Sequence, residues 1–171
     1  MEKVILVDEK DNSVGEAEKL EAHKKGLLHR AFSIFIFNSK GELLLQKRAK
    51  AKYHSGGLWS NTCCSHPAPK KNILDEAHRR LKEEMGIDCE LKEIYTFIYK
   101  AKLNNDLTEY EYDHVFAGRY DENPKPNSDE VEDWKWVNLD WLAEDIKNNP
   151  QNYTYWLKDC YRDVVEKIRG L

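Results

Sequence analysis

Two hydrophobic periods take turns along the chain. His29 to Phe37 is a run of apolar, β-branched and aromatic residues of strand length, and Asn38-Ser-Lys-Gly41 behind it is a hairpin turn with Glu42 to Arg48 returning. Val4 to Val7 is a shorter strand, and Val14 to Ala17 pairs back on it across the turn cluster Asp8 to Ser13. Glu18 to Lys25 has helical composition and stops at Gly26. Trp59 to Cys64 is a short extended wall after a basic, glycine-containing loop over Ala49 to Gly57. Ile73, Leu74, Ala77, Leu81 and Met85 then recur at helical spacing, which predicts a helix from about Asn72, as N-cap, to Met85, ended by Gly86. Two long strands follow, Glu93 to Ala101 and Thr108 to Tyr120, then a strand at Val131 to Val137 and a short helix over Asn138 to Lys147. A last helix, about Asn152 to Arg169, carries Trp156, Cys160, Val164 and Ile168 on one stripe. Strands, a central helix, more strands and terminal helices predict an α/β or α+β sandwich with helices against a mixed sheet.

Composition narrows the function classes. With 171 residues, 40% of them hydrophobic, one domain can bury a core without disulfides or a structural metal. A net charge of −4 gives no global support to a nucleic-acid or anionic-membrane partner. No apolar run approaches the ~18 residues of a membrane span, and Met1-Glu-Lys-Val-Ile-Leu-Val passes straight into Asp8-Glu-Lys-Asp without the pattern of a signal peptide. Cys63 and Cys64 are adjacent, which suits them poorly as disulfide partners. With Cys89 and Cys160 they read as reduced thiols in a cytoplasmic compartment.

Four groups of residues can carry chemistry. His23 and His29 lie six residues apart, about 240° round a helix, so one straight helix cannot aim both at one point. A helix broken at Gly26 can; the plain alternative is two surface or capping histidines. Cys64-Ser-His66-Pro67 holds an imidazole in a rigid turn beside a thiol, as nucleophile and base, as half of a metal site, or as an ordinary loop histidine. Glu109 and Glu111 share one face of a strand, where two close carboxylates repel unless a cation lies between them. Asp113 falls on the same face and makes that signal less specific. Arg80 and Glu84 stand one turn apart in Arg79-Arg-Leu-Lys-Glu-Glu-Met-Gly86, which by itself reads as a salt-bridged helix surface. Three histidines and two aligned carboxylates together form a mixed N/O set suited to Zn²⁺ or Mn²⁺, and a third carboxylate elsewhere suits a harder Mg²⁺. Arg48 and Lys52 add positive charge for a phosphate. The Gly56-Gly57 pair reads as loop flexibility, and no dinucleotide or flavin fingerprint is present.

Arg79 to Ile87 resembles the second half of a Nudix box, G-x5-E-x7-R-E-U-x-E-E-x-G-U, with three departures. Ser65 replaces the first Gly, Lys71 the first Glu, and Arg80 the Glu after Arg. Those losses argue against ordinary Nudix diphosphate hydrolysis. Leu28-His-Arg-Ala-Phe-Ser33, Trp59-Ser-Asn-Thr-Cys-Cys-Ser-His-Pro67 and Glu109-Tyr-Glu111 resemble, in order, the metal-binding, catalytic-cysteine and paired-glutamate segments of the type 1 isopentenyl-diphosphate delta-isomerases. The resemblance covers roughly residues 3–160. It implies a Nudix-like mixed β-sheet sandwich flanked by helices, a single domain over 1–171, with the last helix (about 152–169) capping the site.

The same resemblance implies metal ligands at His23, His29, His66, Glu109 and Glu111, and a ligand for a substrate-linked Mg²⁺ at Glu84. Diphosphate contacts fall on Arg48, Lys52, Arg80 and Lys19. Cys64 and Glu111 fall at the proton-transfer positions, Tyr99 beside the acid, and Trp156, with Trp59 as second choice, against the hydrocarbon. The implied reaction is isomerisation of isopentenyl diphosphate to dimethylallyl diphosphate, with Mg²⁺ on the diphosphate, Zn²⁺, Mn²⁺ or Mg²⁺ at the His/Glu site, and no flavin. The expected partners are a small prenyl diphosphate and no nucleic acid or membrane, for a monomer or weak homodimer. The rivals are a Nudix diphosphate hydrolase, a metal-binding module that senses a diphosphate without turnover, and a Cys/His hydrolase, for which no third orienting residue is evident.

Overall fold

A computed structural model describes residues 2–52 and 54–170. Its elements in order are β1 (Lys3–Val7), β2 (Ser13–Glu18), α1 (Lys19–Lys25), β3 (His29–Phe37), β4 (Leu43–Arg48), β5 (Trp59–Ser60), β6 (Cys63–Ser65), α2 (Ile73–Met85), β7 (Lys92–Lys102), β8 (Thr108–Arg119), β9 (Val131–Val137), α3 (Leu139–Asn148) and α4 (Tyr155–Arg169). The mixed sheet flanked by helices is the architecture that the hydrophobic pattern implies.

β3 is the axis of this arrangement. It runs parallel to β8 from His29 opposite Glu111 to Phe37 opposite Arg119, and antiparallel to β6 on its other side, with Ser33 opposite Cys64. β7 closes the outer edge of β8 as a long antiparallel partner, and the β1–β2 hairpin joins the end of β3 at Leu6 opposite His29. β3 is apolar from Phe32 to Phe37 save for Ser33, because both faces are covered there. Phe32, Ile34 and Ile36 pack with Ala77, Leu81 and Met85 of α2. Phe35 and Phe37 face the other way, against Leu142, Leu157, Cys160 and Val164 of α3 and α4.

The hairpin at 38–41 differs from the sequence expectation. Its turn forms, with the Gly41 amide donating to the Asn38 carbonyl at 3.0 Å, but β3 and β4 pair only at Phe37 opposite Leu43. β4 then leaves β3 and pairs with β9 over Leu43 to Arg48 and with β5 at Gln46 and Lys47. Thr62 fills the opened seam: its hydroxyl donates to the Leu44 carbonyl at 2.6 Å and accepts from the Ile36 amide at 3.0 Å. The expected single strand Trp59 to Cys64 is split for a related reason, since Asn61 turns inward and donates to the Ile34 and Cys63 carbonyls. The last helix begins at Tyr155, after a 3-10 turn at Pro150–Asn152.

Candidate active site

The face of β3 that carries Phe35 and Phe37 carries Ser33, Ala31 and His29 farther toward its N-terminus, because strand side chains alternate. The neighbouring face of β8 changes in step, from Val115 to Asp113, Glu111 and Glu109. Glu109, Glu111, Asp113, His29 and Ser33 are all 5% exposed or less. Buried acids at such a density need partners, and the surrounding elements supply them. α1 ends at Gly26, whose φ of 62° is the left-handed conformation that stops the helix. The chain reverses there and brings the rings of His23 and His29 to a centroid distance of 5.0 Å. Pro67 follows His66 at the end of β6, and the His66 ring lies 5.0 Å from that of His29.

Hydrogen bonds fix which ring nitrogens face inward. His23 Nδ1 donates to the Lys19 carbonyl at 2.7 Å and His29 Nδ1 to the Leu27 carbonyl at 2.8 Å. Both Nε2 atoms therefore point at the acids, His29 Nε2 at 3.1 Å from Glu111 Oε2. His66 Nε2 lies 2.6 Å from the same oxygen. In a neutral ring held through Nδ1–H, Nε2 bears a lone pair, and a lone pair facing a carboxylate oxygen is favourable only with a proton or a cation between them. Donor atoms of His23, His29, His66 and Glu111 all lie within 4.8 Å of one another, and those of His23, His54 and Glu109 do likewise. The donor set fits a divalent cation.

Proton affinities follow the same geometry. Burial lowers His23 and His66 to about 4, so both rings are neutral, the form that binds metal. Burial, the largest single influence, opposes charge on His29, but the hydrogen bond and charge of Glu111, the Leu27 carbonyl and the charge of Glu109 together outweigh it and raise the ring. Glu111 is held well below the usual carboxylate range; burial works against that, and its close pairing with the His66 and His29 rings prevails. Asp113 is pushed well up, by burial first and then by Glu111, and its Oδ2 accepts from the Ser33 hydroxyl at 2.8 Å. Tyr99 donates to Glu109 at 2.7 Å and also to Glu111, and burial raises its phenol well above the ordinary value.

A cavity of about 150 Å³ opens between these groups and β6. Cys64 and Glu111 line it from opposite sides of β3. The Cys64 thiol donates to Asn61 Oδ1 at 3.1 Å, and burial, with the charge of Asp113 next, pushes it up to about 12. Trp156 enters from the first turn of α4, and its indole N–H lies 3.0 Å from Cys64 Sγ, 3.0 Å from Ser60 Oγ and 3.1 Å from Asn61 Oδ1. Arg48, Lys52, Arg80 and Lys19 line the same cavity. Acids hold three of these cations: Lys52 pairs with Glu130, Lys19 with Glu2 at 3.3 Å, and Arg80 with Glu84 at 2.9 Å and Glu130 at 3.5 Å.

Two sequence expectations are placed differently. Trp59 does not line the cavity; its ring lies under Lys135 Nζ at 4.2 Å, so of the two tryptophans it is Trp156 that meets the thiol. Glu84 lies behind the cysteine strand, where it meets Cys63 Sγ at 3.4 Å, Gln46 Nε2 at 3.3 Å and Arg80. Sequence reasoning missed His54, 7% exposed with Nε2 at 3.0 Å from Glu109, although a histidine in a basic Gly-Gly loop was a visible signal. Asp113, expected only to blur the paired-glutamate pattern, is part of the cavity wall, and its place on the face of Glu111 was legible.

With this geometry in view, comparison with known proteins gives a consistent answer. The NUDIX domain family model matches residues 27–159. Isopentenyl-diphosphate Delta-isomerase 1 of Aromatoleum aromaticum is 57% identical over 164 residues, 96% of this chain and 93% of the relative. The chain belongs to the isopentenyl-diphosphate Delta-isomerase family of the NUDIX domain. Isopentenyl-diphosphate Delta-isomerase 2 of Photorhabdus laumondii is 56% identical over 168 residues, covering 95% of each chain. Among solved structures, DR0079 from Deinococcus radiodurans superposes with a TM-score of 0.78 at 18% identity over 95% of this chain and 98% of that one, a likeness of fold. Among the described residues no helix is long and apolar enough to cross a membrane.

Proposed function

We propose that this chain isomerises isopentenyl diphosphate to dimethylallyl diphosphate, with Cys64 and Glu111 as the two proton carriers. The observation that carries this reading is their placement on opposite sides of β3 in one cavity that also holds Arg48, Lys52 and Arg80. The reaction adds a proton to the terminal carbon C4 of an unactivated alkene and removes one from C2, moving the double bond through a tertiary cation. It needs an acid and a base on two sides of a flat hydrocarbon. In the reverse direction the two groups exchange roles, so each must hold and release a proton within the cavity.

The surrounding residues divide the remaining work. Tyr99, donating to both Glu109 and Glu111, keeps the Glu111 carboxylate aimed into the cavity. Trp156 excludes water from the cation, and an indole face stabilises a desolvated cation by about 2 kcal/mol. Its N–H orients the thiol sulfur. Arg48, Lys52, Arg80 and Lys19 neutralise the diphosphate, Lys52 and Lys19 by exchanging Glu130 and Glu2 for phosphate oxygens. His23, His29, His66, Glu109 and Glu111 would hold a Zn²⁺, Mn²⁺ or Mg²⁺ ion, and a further Mg²⁺ would come with the diphosphate on the side of Arg80, whose guanidinium links the cavity to Glu84 at 2.9 Å. The bound ion supplies charge that holds Glu111 in place and lowers its proton affinity. The last helix acts as a cap within a single domain, and four free thiols suit a reducing cytoplasm.

The test is incubation with isopentenyl diphosphate and Mg²⁺ in D₂O, followed by NMR. Deuterated dimethylallyl diphosphate is the expected product, whereas inorganic phosphate without isomer would place the chain with the diphosphate hydrolases. Cys64→Ala and Glu111→Gln are each expected to abolish turnover while circular dichroism stays that of the parent. Near-parental rates in either variant would remove that residue from its role.

A further inference from the structure

His54 is not among the five ligands named above, yet it is buried beside them. Its Nε2 lies 3.0 Å from Glu109 Oε1, and its ring centroid lies 5.6 Å from that of His23. His23 belongs both to the group with His54 and Glu109 and to the group with His29, His66 and Glu111; the six donors do not all lie within 4.8 Å of one another, and the shared ring is where one ion would draw the two clusters together. Two donors bound at right angles to one ion, each at about 2.1 Å, stand about 3.0 Å apart. His54–Glu109 at 3.0 Å has that separation, as does His29–Glu111 at 3.1 Å.

The loop is shaped to deliver this ring. Ser55 and Gly57 take positive φ, 53° and 78°, and a Cβ on Gly56 would meet the Lys50 carbonyl oxygen at 2.7 Å. The Gly57 amide closes the turn on the Arg48 carbonyl at 2.8 Å, and the Arg48 guanidinium donates to the His54 carbonyl at 3.3 Å. The glycine pair, read from sequence as slack, is a steric requirement of a tight turn. The backbone of His54 is thus fixed from below by Arg48, while its ring turns to Glu109.

We propose that His54 supplies Nε2 as a sixth protein donor to the cation held by His23, His29, His66, Glu109 and Glu111. The inference rests on the reading of those five residues as a ligand set. Six protein donors leave an ion no open position, so its part here is to hold and polarise Glu109 and Glu111 rather than to bind the substrate's oxygens. The same bond ties the loop that carries Lys52 to the ion, so the diphosphate-binding cation and the acid share one support.

Metal binding by the full chain tests this. The protein is stripped, reloaded with Zn²⁺ or Co²⁺ and gel-filtered; metal is counted by mass spectrometry and affinity measured by chelator competition. The parent is expected to hold one ion in this cluster. His54→Ala should bind it about 10- to 100-fold more weakly, with a more intense Co²⁺ d–d spectrum as the ion falls from six donors to five. His54→Gln should be equally weakened, because its amide can still hydrogen-bond Glu109 but is a poor ligand; it also guards against misfolding of the alanine variant. Parental affinity and spectrum in either folded variant overturn the proposal, and in that case a large loss in His66→Ala leaves the five-ligand reading standing. A parent that takes up no ion, or a His66→Ala variant that binds like the parent, overturns both.

Discussion

The Cys64 thiol illustrates how position sets chemistry for one residue. An ordinary cysteine is partly ionised at neutral pH and reacts readily, but Cys64 is walled by Trp156, Asn61 and β3, and burial pushes it up to about 12. That makes it a poor nucleophile and suits it to the proton-carrying role proposed above. At pH 8 a free thiol is ionised to tens of per cent, and one at about 12 to roughly one part in ten thousand. Alkylation of Cys64 by iodoacetamide, followed by peptide mass spectrometry, should accordingly be slower than that of a free cysteine by roughly a thousandfold. Reactivity equal to that of a free cysteine would mean an ordinary, partly ionised thiol and would overturn the protonated resting state expected of Cys64.

Among the elements, α2 shows what supports the cysteine strand. Its N-terminus is capped by Asn72, whose side chain accepts from the Leu74 and Asp75 amides, as the sequence pattern indicates. Its C-terminus stops at Gly86, with φ 65° and an ideal Cβ that would lie 2.6 Å from the Lys125 carbonyl oxygen. Asn72→Ala should cost about 1 kcal/mol. Gly86→Ala should cost more, about 2 kcal/mol or above, since left-handed strain adds to a backbone collision. Urea unfolding of the two variants measures both, and the ranking is the point: a milder effect for Gly86→Ala would mean that the 124–127 loop yields easily. The Arg80-to-Glu84 turn of this helix shows a limit of local reading. Its i, i+4 spacing predicts a surface salt bridge, but Glu84 is 2% exposed because β6 and Gln46 cover that face.

The whole molecule stores ionisable groups that its folded state alone would leave strained. His23, His29, His54, Glu109, Glu111 and Asp113 are all buried, and a cation among the first five would offset the repulsion between the carboxylates. Chelation should therefore lower the melting temperature. Saturation to a hundred times the dissociation constant stabilises by about 2.7 kcal/mol, roughly 5–10 °C for a domain of this size. A melting curve indifferent to chelator and to added Zn²⁺ or Mn²⁺ would argue against a resident ion. In the metal-free protein His23 and His66 should also cost stability as pH falls, against the opposite contributions of His29 and Asp113. His23 and His66 are lowered to about 4 from an ordinary value near 6.5, so between those values the unfolded chain binds more protons and gains on the folded one. The loss is on the order of 2–3 kcal/mol per ring across that window, measured by urea unfolding at pH 7 and pH 4.5 in chelator.

Local order was determined by the chain's own pattern. The strand at His29 to Phe37, the cap at Asn72, the stops at Gly26 and Gly86, and the shared face of Glu109 and Glu111 depend on side-chain period, φ preference and capping, which act over a few residues. The motif residues around Cys64 and His66 stood out through their resemblance to the isomerase family's segments, since local rules alone left their roles open. Tertiary structure decided what those neighbours could not. It parted β3 from β4 after one pair, because each strand found a longer partner, and Thr62 satisfied the seam. It set Trp156 rather than Trp59 on the thiol, because α4 starts beside β6 while Trp59 turns to Lys135. It also folded His54 onto Glu109 across 55 residues of sequence, through a glycine turn whose purpose is visible only when Lys50 is seen pressing against it. Contacts between distant residues are fixed by which buried groups must share space and charge, and no window of sequence contains both sides of that competition.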